Sequence, residues 1–152
     1  MTPVILLQRF KEFIEDEIKD LLLEVRDSKK KRPAEVHLMH LPEIEGETKR
    51  IPYVVLQFIK NTDSQLEGEP TESSMMVRII AATYSENSSE GAIDVLNLLT
   101  RIRIALLRSR IIGKQFLLKP PLEMIVYPDD TRPYYLGEMM SSWDLPPIER
   151  EG

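Results

Sequence analysis

Apolar positions in the first part of the chain recur every three or four residues. Leu7, Phe10, Ile14, Ile18, Leu21 and Val25 stack on one helical face, and Val4, Leu6, Phe13, Leu22 and Leu23 widen that stripe. Glu12, Glu15, Asp16, Lys19, Asp20 and Glu24 occupy the remainder. The spacing predicts one long helix over residues 3–26. Thr2 is its expected N-cap, with Pro3 at the first helical position, where a missing N–H costs nothing. The basic run Lys29-Lys30-Lys31-Arg32 follows as a solvated loop at the helix C-terminal end, where positive charge complements the dipole. Pro33 forbids continuation.

The pattern then changes period. Residues 36–41 read as a short mixed strand closed by Pro42, and residues 43–50 as a polar turn. Ile51 to Lys60 is almost continuously apolar, as a strand covered on both faces would be. Residues 61–74 carry four acids and no base, which predicts a mobile loop. A third strand follows over 75–84, paired with 51–60 as a hairpin with a long tip. A second helix is expected over about 89–109. Ser88 or Ser89 would cap it, Glu90 lies in its first turn, and Gly113 stands beyond it. Ile93, Leu96, Leu99 or Thr100, Arg103 and Leu107 trace one stripe on this helix. Ala92, Val95, Leu98, Leu99, Ile102, Ala105 and Leu106 trace a broader one. Two more strands are expected, over about 117–127 (interrupted by Pro120-Pro121) and over 134–145. The turn between them is Pro128 to Pro133, and residues 148–152 should fray.

The order is helix, three strands, helix, two strands. It predicts an α+β fold in one domain spanning 1–152. A single mixed, mainly antiparallel sheet of about five strands would carry both helices on one face. A length of 152 residues fits one domain. No repeat of 20–50 residues is visible.

Composition narrows the function classes. Twenty basic and 25 acidic residues leave a net charge of −5, which argues against a coat for nucleic acid. The absence of cysteine excludes disulfides, thiolate metal sites and cysteine nucleophiles. Apolar runs are too short to span a membrane as a helix. The opening Met1 to Leu7 lacks a basic n-region and a full h-region, so a cytoplasm-made soluble domain is expected.

Catalytic signals are sparse. His37 and His40 lie three apart on an expected strand, which points them to opposite faces and denies them a shared metal. Pro128-Asp129-Asp130 resembles the start of a metal-dependent nuclease motif, but no acid-x-Lys triplet follows, and these are turn residues. No Walker loop, GxGxxG, HExxH or GxSxG occurs. The chain therefore reads as a non-enzyme with no catalytic residues, cofactor or metal. Charge patterning says more. Arg101, Arg103 and Arg108 load the end of the second helix with positive charge, opposite in sign to Glu67, Glu69 and Glu72 in the acidic stretch. The segment Tyr134 to Trp143 concentrates Tyr, Met and the single Trp, residue types that serve both cores and interfaces. The candidate interface residues are therefore Arg101, Arg103, Arg108, Glu67, Glu69, Glu72 and Tyr134.

Three features together resemble the tail terminator and tail-completion proteins of long-tailed bacteriophages. One is the long N-terminal helix leading into short strands. Another is the strand Val77 to Tyr84 running through Ser85-Glu86-Asn87-Ser88-Ser89-Glu90-Gly91 into the helix that reaches Arg103. The third is Pro133-Tyr134-Tyr135-Leu136-Gly137-Glu138 leading to Trp143-Asp144-Leu145-Pro146-Pro147. The resemblance implies a virion subunit that forms a homo-hexameric ring at the head-proximal end of the tail, assembled in the host cytoplasm. Its partners would be the tail tube protein and a head–tail connector or neck protein. Neither membrane nor specific nucleic-acid binding is implied, although the ring leaves a path for DNA. Another head–tail joining ring, a neck or stopper, fits the same features, and a nucleic-acid-binding module built on residues 29–32 is a further alternative.

Overall fold

The computed structural model describes residues 3–26, 28–41, 51–69, 72–128 and 132–145. Two helices and eight strands follow in the order α1 (Pro3–Ile18), β1 (Leu23–Val25), β2 (Ser28–Arg32), β3 (Glu35–Leu38), β4 (Tyr53–Ser64), β5 (Glu72–Tyr84), α2 (Ser88–Ser109), β6 (Ile111–Ile112), β7 (Phe116–Val126) and β8 (Tyr134–Leu145). The main sheet has six strands in the order β3-β4-β5-β8-β7-β6, and β1-β2 form a separate two-stranded sheet. β3 runs parallel to β4, and every other pairing is antiparallel. The fold is α+β, as expected, but its sheet is not a single one of five strands. β6 is two residues long, too short to leave a periodic signal, and β1-β2 come from the segment read as helix and loop.

The first helix ends at Ile18, not at 26. Leu21 N–H turns back to the Ile18 carbonyl at 3.0 Å. The last turns of α1 carry Glu15, Asp16 and Glu17 with no base in the final turn, so their charge opposes the negative end of the dipole. Leu21 to Val25 fits either period, and tertiary burial of Leu23 selects the strand. The basic run lies in β2 rather than in a loop, with Ser28 to Lys31 exposed. Lysines on an exposed strand of a short sheet also discourage edge-to-edge pairing.

One face of the sheet packs against both helices. Leu6, Leu7, Phe10, Ile14 and Ile18 from α1 join Val95, Leu98, Leu99, Ile102 and Leu106 from α2 over Val54, Leu56, Val77, Ile79, Met139 and Trp143. Each fully buried side chain of this kind contributes roughly 1.5–3 kcal/mol. Phe10 meets Trp143 edge-on, with ring centroids 5.1 Å apart. Along β8 the burial alternates: Tyr135, Gly137, Met139, Ser141 and Trp143 are buried, and their neighbours are half-buried. The opposite face is lined by Val55, Gln57, Arg78, Ile80, Glu138 and Met140, by their register in the ladders. Arg78 and Glu138 form an ion pair at its centre.

The stretch 61–74 is mostly strand rather than loop. β4 and β5 stay in register out to Ser64↔Glu72, with a bulge between Phe58 and Lys60. Ile59 to Ser64 are all exposed, while opposite them on β5 Ser73 and Met75 are buried and pair with β8 as well. The turn 43–50, the cap Thr2, Asp129-Asp130 and the tail 148–152 lie outside the described residues.

Candidate subunit interface

Helix α2 is capped by Asn87 rather than by Ser88 or Ser89. The Asn87 side chain accepts from Ser89 N–H at 3.0 Å and Glu90 N–H at 3.3 Å. The helix ends on Arg110 in the left-handed region (φ 62°), whose N–H returns to the Leu106 carbonyl at 2.8 Å. Its broad apolar stripe faces the core. On the opposite side runs a second stripe: Ile93, Leu96 and Ile104 are 54%, 42% and 45% exposed, with Thr100 half-buried between them. Helical geometry sets Arg101 and Arg108 on one flank of this stripe and Arg103 on the other.

Beside the stripe, α1 and α2 leave a groove of about 370 Å³. Glu17 and Leu21 line it from one side, and Thr100, Arg101, Ile104 and Arg108 from the other. Arg101 is tied to α1: its Nη1 donates to Asp20 Oδ1 at 2.7 Å and to the Glu17 carbonyl at 3.4 Å. Arg103 and Arg108 are exposed and form no ion pair among the described residues.

Glu67, Glu69 and Glu72 lie on the tip and flank of the β4–β5 arm. Residues 66–69 form a tight turn in which Glu69 N–H donates to the Leu66 carbonyl at 2.9 Å. Gly68 adopts φ +80°, as the third position of a type II turn requires. Gln65 Nε2 clasps the same turn through the Glu69 carbonyl at 3.0 Å. The turn holds Leu66 outward, 72% exposed. Asp63, Glu67, Glu69 and Glu72 make no ion pair among the described residues.

The structure thus sorts the seven expected residues into three places. The three arginines share one helix surface and the three glutamates share one arm. Tyr134 belongs to neither: it pairs with Tyr84 at one end of the β5–β8 ladder, the end away from Ser73↔Leu145. There its ring lies 5.9 Å from the Tyr84 ring, beside Ile51, Ala82 and Leu136. Ile93 and Leu96 were readable as part of a second stripe on α2, and Ile104 was in neither stripe. Leu66 carried no signal in a polar run.

Other chemistry is local. His37 Nε2 lies 2.9 Å from Glu35 Oε1, while His40 falls past the end of β3, so alternation along a strand does not relate the two. Among the described residues no three His, Cys, Asp or Glu side chains gather as metal ligands. The lysines of β2 sit near acids: Glu24, Lys29, Tyr84 and Glu86 share a shallow depression. Burial pushes the Asp94 carboxyl up, Glu24 and Glu90 add to the shift, and Lys31 opposes it. Among the described residues no helix is long and apolar enough to cross a membrane. Neither a model of a known protein family nor a curated protein matches the chain.

Proposed function

We propose that the chain is a structural subunit of a long-tailed phage: a tail terminator that closes into a ring on the finished tail tube, ends its polymerisation and presents a surface to the head connector. The resemblance supplies the identity, the hexameric expectation and the tube and connector as partners. The observation that carries the reading is the presence of two separate surfaces of opposite charge on one chain, the acidic arm and the face of α2 bearing Arg103 and Arg108, whose charged groups make no ion pair among the described residues, while Arg101 beside them is paired with Asp20. A chain with two different complementary patches associates head to tail, and such contacts close into rings when the rotation allows. In this reading the protein performs no catalysis and works without cofactor or metal.

The test is the mass of the purified chain, subunit 17.6 kDa, with negative-stain images of the same fraction and of tail tubes mixed with it. Discrete rings, or a ring formed on tube ends that stops their growth, is the expected result. Rings that bind portal complexes and ignore tubes would move the protein to the neck. A chain inert toward both overturns the reading.

A further inference from the structure

We infer that the β4–β5 arm of one subunit docks into the α1–α2 groove of a second copy, with Leu66 as the apolar anchor. The inference deepens the ring reading and rests on it for closure; the pairing itself needs only another copy of this chain.

Both halves of the contact are on the molecule, and among the described residues neither the arm's acids nor Arg103 and Arg108 make an ion pair within it. The arm tip presents Leu66, 72% exposed, in a turn fixed by the Glu69-to-Leu66 backbone bond and by Gly68. Around it stand Asp63, Glu67, Glu69 and Glu72, without a base on the described arm beyond Lys60. The receiving groove combines apolar and basic side chains, with Glu17 as the acid in its lining. Its floor is apolar, from Leu21 and Ile104, and its rim carries Arg108 on the groove side and Arg103 across the stripe. Arg101, braced by Asp20, stands beside Arg108 in the groove wall.

Isolated exposed leucines are common on protein surfaces and need no explanation. Here the leucine has only acids among its charged neighbours in the turn, and Ile104 of α2 has Arg101, Arg103 and Arg108 as its charged neighbours along the helix. Charge around an apolar contact sets orientation and suppresses wrong partners, while the anchor supplies affinity. The arm is also rigid enough to act as a tenon: Thr62↔Ser74, Asp63↔Ser73 and Ser64↔Glu72 remain paired to its tip. A preorganised segment loses less entropy on docking.

The experiment uses the full chain and sedimentation at several salt concentrations. Leu66→Ser is expected to weaken self-association by about tenfold or more, the ordinary loss for an anchor residue. Arg103→Glu with Arg108→Glu, and separately Glu67→Lys with Glu69→Lys, should each do the same. All four reversals on one chain should restore association, and circular dichroism of each variant establishes that it folds. Assembly unchanged in the single-surface variants overturns the pairing and leaves the ring reading standing. Folded variants that lose assembly and are not rescued by the combined reversal also overturn it. So does a wild-type chain that stays monomeric at high concentration and low salt, whatever it then does on tail tubes. Arm variants that assemble normally but no longer cap tubes would assign the arm to the tube instead.

Discussion

Gly91, in the first turn of α2, lies so close to the ring of Tyr135 on β8 that a methyl group on it would come within 2.1 Å of Cε2. The contact is locked from a third element, because the buried Thr83 hydroxyl of β5 donates to the Gly91 carbonyl at 3.2 Å. Glycine here is required by close approach, not by backbone conformation. Gly91→Ala would gain about 1 kcal/mol of helix propensity. Displacing a buried ring to make room costs about 1–3 kcal/mol. The substitution is expected to lower stability by about 1 kcal/mol, read as a lower urea midpoint; an equal or higher midpoint would show that the ring moves freely.

The same tyrosine offers the opposite experiment. Its hydroxyl is buried and has no hydrogen-bond partner among the described residues. An orphaned polar group of this kind costs about 1–3 kcal/mol in desolvation. Tyr135→Phe keeps the ring against Gly91 and removes the orphan, so stability should rise by up to about 1 kcal/mol. A measured loss would reveal a partner for the hydroxyl, such as a bound water.

Ser141 is a buried relay between two strands. It receives the Trp143 indole N–H at 2.9 Å and donates to the Val77 carbonyl at 2.9 Å. Ser141→Ala strands the indole N–H in the core beneath Phe10 and removes the donor to Val77. The expected loss is about 1–3 kcal/mol. Trp143 is the only tryptophan, so its fluorescence reports unfolding and local environment together. A variant as stable as the wild type, with an unshifted emission maximum, would mean that the indole finds another acceptor.

Legibility in the sequence followed how far each segment depends on its own neighbours. β8 was readable to the residue, because Tyr135 to Trp143 alternate between a covered and a half-covered face. The end of α2 at Ser109 was readable from its core stripe and the glycine beyond it. Residues 21–25 were not, since Leu21-Leu22-Leu23 satisfies both periods and only the burial of Leu23 decides between them. The arm was hidden for a different reason: Asn61 to Ser64 are exposed strand, and polarity alone reads as loop. Of the candidate interface, charge alone singled out the arginines and glutamates as candidates. It could not reveal that Arg101 is engaged with Asp20, nor that Leu66 is held outward. Tyr134 was grouped with them by residue type, but that type serves an aromatic cluster at the other end of the sheet.

Asp94 makes the fold pH-dependent in a direction opposite to an ordinary surface aspartate. Burial raises its pKa first, then the nearby Glu24 and Glu90, with Lys31 pulling the other way. A carboxyl whose folded pKa lies above its unfolded value binds its proton more tightly in the native state. Its stabilising contribution is complete below the ordinary Asp range, near pH 4, and is lost as pH rises through the raised folded value. At neutral pH the ionised Asp94 therefore penalises the fold. Asp94→Asn is expected to raise the urea midpoint at neutral pH and to flatten the gain seen on mild acidification. Glu90→Gln removes one of the repelling charges but also a favourable charge in the first turn of α2, so its net effect should be smaller. Lys31→Gln should move the chain the other way, lowering the neutral-pH midpoint by withdrawing a cation that opposes the shift. Asp94→Asn with an unchanged midpoint at every pH would show that the carboxylate is relieved in solution, by water or by rotation away from Glu24.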